Sequence, residues 1–123
     1  MPETPYRKET NMSKNVTIDG VEYAPVTQVD GEHVLIRSRD AGVFVGRLVK
    51  RTGDEVELAD ARRIWYWDGA ATLSQLATEG TSKPNTCKFP PSVPSITVLG
   101  VCEVISVTAA ALASIAKVKE WRQ

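Results

Sequence analysis

The chain has 123 residues, 15 basic and 15 acidic side chains and no net charge. An apolar fraction of 42% with 24% charged residues is that of an ordinary soluble domain large enough to bury one core. The charge balance speaks against a dedicated nucleic-acid binder, which carries a basic excess, but leaves room for a small anion held by a few local cations.

Two cysteines, Cys87 and Cys102, and a single histidine, His33, form neither a metal-ligand pattern nor a redox pair, so no metal and no cofactor is expected. Residues 1–15 are polar, contain two prolines and read as a disordered tail, with Met12 as an alternative start to Met1. Residues 16–123 read as a single α+β domain. The apolar-leaning stretch 96–118 is interrupted by Glu103, Ser106, Thr108 and Lys117, so no membrane span is expected. The cytoplasm follows as the expected compartment, with reduced thiols.

Val16 to Val26 reads as a hairpin, because Asp19-Gly20 is a two-residue turn signal between alternating arms. Gln28 to Glu32 is a loop around Asp30-Gly31. His33 to Arg37 is a short strand, and Val43 to Arg51 a longer one with Gly46 in its middle, which signals a bulge or a close backbone approach. After the turn at Thr52-Gly53-Asp54, Val56 to Trp67 is one long bent strand or two strands broken near Ala59-Asp60-Ala61. Ala70 to Ala77 has helical composition, with Asp68 or Thr72 as its cap and Gly80 at its end. Thr81 to Ser95 carries four of the seven prolines and reads as an irregular loop. Ile96 to Val107 is a strand, and Thr108 caps a helix over Ala109 to Val118.

The densest chemistry lies in Ala61 to Ala70, where Arg62 and Arg63 precede Trp65, Tyr66 and Trp67. A guanidinium pairs with phosphate and an indole stacks on a flat ring, so the combination suits a nucleotide. On a continuing strand Arg63, Trp65 and Trp67 share one face, and Arg62, Ile64 and Tyr66 the other. The plainer reading makes the tryptophans core anchors and the arginines solvated. Lys88 and Phe89, on the proline-rich loop, are placed to fold over a ligand held by Arg63 and Trp65; the plainer alternative has that loop covering a sheet edge. Arg37 and Arg39 flank Ser38 ahead of a turn and give a further anion candidate. His33 has no evident partner for general-base work, and neither a nucleophile elbow nor a phosphate-binding glycine loop occurs, so the chain reads as a binder and not an enzyme.

Two resemblances bear on this. Ala41 to Lys50, followed by Gly53 to Ala61, resembles the first motif of Sm-like proteins: a glycine-containing strand, a turn and a strand ending in Leu58-Ala59-Asp60-Ala61. It implies a small, strongly bent sheet, ring formation and RNA binding. Asp54, Glu55, Val56 and Glu57 stand where the uracil-pocket asparagine is expected. More broadly, His33 to Trp121, through the phrase ARRIWYW-x-GA, then Pro84-x-x-Cys87-Lys88-Phe89 and the Glu103 to Ile115 segment, resembles small phage and prophage proteins of mostly unassigned function. It is also similar to phage anti-Thoeris proteins of the first type. That likeness implies an oligomeric β-rich protein that sequesters cyclic ADP-ribose-type signals, in some cases cyclic oligonucleotides, without cleaving them. It would assign phosphate pairing to Arg62 or Arg63 and adenine stacking to Phe89.

The expected fold is therefore α+β: a strongly bent antiparallel sheet or small barrel, one short inserted helix and a C-terminal helix. The expected function is non-catalytic capture of a small cyclic nucleotide signal by a homo-oligomer in the host cytoplasm, with Arg37, Arg62, Arg63, Trp65, Trp67, Lys88 and Phe89 as the ligand-binding set. The alternatives are an Sm-like RNA-binding ring and a phage structural or interaction protein without a small ligand.

Overall fold

The computed structural model describes residues 31–123 in full, and of the preceding segment the backbone of two short paired strands, β1 (Val16–Ile18) and β2 (Val21–Tyr23). Ile18 pairs with Val21; the turn expected at Asp19-Gly20 lies outside the described residues. The tail expected over 1–15 and most of the loop around Asp30 lie outside the described residues.

The main sheet has five strands: β3 (His33–Ser38), β4 (Gly42–Thr52), β5 (Glu55–Arg63), β6 (Val93–Val98) and β7 (Val101–Ser106). They lie in the order β6-β5-β4-β3-β7, with every neighbouring pair antiparallel. Helix α1 (Leu73–Glu79) follows β5, a 3₁₀ turn covers Pro84–Thr86, and α2 (Ala109–Ala116) follows β7. The α+β class is thus as the sequence implies.

One expectation is corrected. The β-branched run 96–107 is not a single strand but parts of two, broken at Leu99-Gly100, where Gly100 takes a φ of 68°. These consecutive strands stand at opposite edges of the sheet. Two strands joined by two residues can do so only if the sheet curls until its edges approach at one corner. The Val101 amide donates to the Asp54 carbonyl (2.8 Å) and the buried Ser38 hydroxyl to the Leu99 carbonyl (2.8 Å), pinning that corner. Strands β6 and β7 do not pair, so the sheet stays open and is not a closed barrel. Pro94 is accommodated because β6 is an edge strand bonded only to β5.

Curling gives two cores. The enclosed face buries Val34, Ile36, Phe44, Leu48, Val56, Leu58 and Val98. The outer face buries Leu35, Val45 and Ile64 beneath Leu76 and Ala77 of α1, Ile115 of α2, Val118 and Phe89. Strand β3 is covered on both sides, which is why Val34, Leu35 and Ile36 form an unbroken apolar run and not an alternation. Thr72, not Asp68, caps α1: its hydroxyl accepts from the Gln75 amide (3.1 Å), so the helix starts at Leu73 and not at Ala70, while Thr108 caps α2 as expected, accepting from Ala111 (3.0 Å). Among the described residues no helix is long and apolar enough to cross a membrane.

Candidate functional site: an aromatic ledge

Strand β5 ends at Arg63 because the chain changes partner there. Ile64 still donates to the Val43 carbonyl (2.8 Å), but the amides of Trp65 and Tyr66 both turn to the Lys88 carbonyl (3.0 and 3.2 Å), and the Lys88 amide returns to Tyr66 (2.8 Å). The C-terminal segment joins the same place, since the Trp121 amide donates to the Phe89 carbonyl (3.0 Å). The strict strand alternation expected through Trp67 therefore stops at this exchange.

Trp65 emerges on the surface with 64% of its area exposed, and Tyr66 beside it with 49%. Trp65 stacks on Trp121 with ring centroids 6.2 Å apart and planes within 11°. The Lys88 ammonium stands 5.6 Å from the centre of the Trp121 ring. Two indoles and a cation thus share one open ledge. Exposed Trp and Tyr at one place are uncommon on a surface that has no partner, because each leaves a large apolar area in water.

Arg62 is placed otherwise than for a ligand. Its guanidinium donates to four backbone carbonyls: Pro90 (3.1 Å), Phe89 (3.2 Å), Ile115 (3.2 Å) and Val118 (2.6 Å). It lies 5.4 Å from the Phe89 ring, and burial lowers its pKa, partly countered by Glu120. With its donors so committed, Arg62 ties the proline-rich loop to the end of α2 and does not offer a phosphate clamp. Arg63 points to the opposite side of β5, donating to the Ala41 carbonyl (2.7 Å) with its guanidinium 4.4 Å from the Phe44 ring centre.

Phe89 is fully buried in the outer core, so the expectation that it stacks on a ligand from a mobile loop is corrected: it anchors that loop. Trp67 is half-buried against the same core, its indole N–H donating to the Ala70 carbonyl (3.2 Å). Arg37 pairs with Glu103 across β3 and β7 (3.1 Å), and that hydrogen bond raises its pKa. Of the seven expected ligand residues, Trp65 and Lys88 come together on an exposed surface. Trp121 is the member that sequence reasoning missed. Its signal was an isolated tryptophan inside a charged stretch, Lys117 to Arg122.

A family model described as a domain of unknown function (DUF6948) matches residues 31–115. The chain belongs to this family. The DUF6948 match takes in the curled sheet, Trp65 and Lys88, and stops short of Trp121. No curated protein and no solved structure matches the chain.

Proposed function

We propose that this DUF6948 protein is a non-catalytic binder that holds a planar, anionic ligand of the nucleotide class on the ledge of Trp65, Trp121 and Lys88. The exposed Trp65 indole stacked on the half-buried Trp121, with an ammonium beside them, carries this reading. A base has a flat face for the indoles, each such stack contributing about 1–3 kcal/mol, and its phosphate has a partner in Lys88. The likeness to signal-sequestering phage proteins narrows the ligand to a cyclic nucleotide of the cyclic ADP-ribose type, captured intact by a homo-oligomer in the host cytoplasm. That narrowing rests on the aromatic phrase and not on the ledge.

Calorimetric titration with AMP, cyclic ADP-ribose, cyclic dinucleotides and a short single-stranded RNA tests the proposal. Saturable binding of a mononucleotide or cyclic nucleotide is expected, about tenfold weaker in Trp65→Ala and in Lys88→Ala. Chromatography of the ligand released by heat should return it unchanged. Tighter binding of the RNA than of any small nucleotide would move the reading to the Sm-like alternative. No binding at all, or variants as tight as the parent, would end it.

A further inference from the structure

On the outer face of the sheet, α2 leaves a cleft of about 130 Å³ against β4 and β5. Its walls are aliphatic, from Val45, Leu112 and Ala116, and its polar groups are His33, Asp60, Arg62 and Ser92. We infer that this cleft binds an uncharged, ring-sized molecule carrying one hydrogen-bond donor, of the phenol class.

Three observations converge. The volume and aliphatic walls suit a single six-membered ring, as ligand sites that are apolar with a few polar groups generally do. Next, Asp60 has a φ of 51°, and among the described residues it is the one non-glycine residue in the left-handed region. A β-bulge puts it there. Between Val45↔Arg62 and Arg47↔Ala59, β4 advances by two residues and β5 by three, so Gly46 faces an extra residue. A side chain at Gly46 would come within 3.0 Å of the Ala61 Cα, so the bulge requires a glycine opposite it. Strain kept at a cleft wall is a pointer to function. Last, among the described residues neither the His33 ring nor the Ser92 hydroxyl has a side-chain hydrogen-bond partner, and there the Asp60 carboxylate meets Arg47 alone, at 3.6 Å. These groups leave acceptor positions for a ligand's donor.

Charge decides the class. Both charges that line the cleft are already engaged: Asp60 meets Arg47 at 3.6 Å, and the Arg62 donors are held by carbonyls. A cationic or anionic ring therefore gains nothing over a neutral one.

Because His33 is the sole histidine, its imidazole C–H proton resonances report the cleft without further assignment. Phenol should shift them saturably with a dissociation constant on the order of 1 mM, and toluene, benzylamine and benzoate should each bind about fivefold more weakly or less. Ala116→Phe fills the cleft and should abolish the phenol shift. Asp60→Gly relieves the backbone and removes the acceptor. It should keep or raise the melting temperature while reducing the advantage of phenol over toluene to about twofold or less, the opposite of what a merely structural Asp60 would give. An absence of saturable shifts with phenol, equal binding of the charged rings, or an unchanged preference in Asp60→Gly would each overturn the assignment.

Discussion

Arg62 and Phe89 show how one residue can be read correctly for its chemistry and wrongly for its role. The sequence presents a guanidinium and a ring suited to a nucleotide; the fold uses both to hold the end of α2 against Phe89 and Pro90. Nothing local in the sequence reveals that, because the four carbonyls belong to residues 27 to 56 positions away. Replacing Arg62 by Ala leaves those carbonyls without their partner and should destabilise the domain by about 3 kcal/mol, measured by denaturant unfolding. Arg62→Lys should rescue little, since a compact ammonium cannot span four acceptors. Phe89→Ala, which opens a void in the outer core, should cost about 3–5 kcal/mol in the same measurement. Trp65→Ala, at a residue 64% exposed, should change stability by about 1 kcal/mol or less while weakening ligand binding. This contrast separates the anchor from the ledge.

At the scale of elements, local rules carried far. The threonine caps and the turn at Gly53 were legible because each depends on residues within a few positions of one another, and the irregularity at Gly46 because a glycine in mid-strand marks it. The break at Leu99-Gly100 was not, since Val98 and Val101 favour strand on either side and only the curl of the whole sheet requires a corner there. Trp65 and Lys88 were expected near one another, and the paired backbones of Tyr66 and Lys88 bring them together. Trp121 was hidden because its place follows from a contact between the C-terminal segment and Phe89. Gly80 ends α1 with a φ of 79°, and a methyl there would overlap the Ser114 side chain of α2. Gly80→Ala should therefore push the two helices apart and lower stability by about 2 kcal/mol, visible as a fall in melting temperature.

For the whole molecule, the curled sheet divides the work. Its enclosed face is a continuous apolar core, and its outer face carries the helices, the ledge and the cleft. Helix α2 buries Ala111 and Ile115 within its own domain, while Ala109, Ala110, Ala113 and Ala116 remain on its exposed side. That small-residue side permits close approach of a second helix, so light scattering at micromolar concentration should give a mass well above 13.4 kDa. A mass equal to one chain would remove oligomerisation from the account and leave the ledge unaffected.

The ledge is tested most directly by the three indole N–H resonances of the isotopically labelled chain, each assigned by a single Trp→Phe variant. Titration with a mononucleotide or cyclic nucleotide should shift the Trp65 and Trp121 signals together and saturably. The Trp67 signal, held by the Ala70 carbonyl, should stay in place. Movement of Trp67 alone, or no saturable movement of any of the three, would contradict a nucleotide site on this surface.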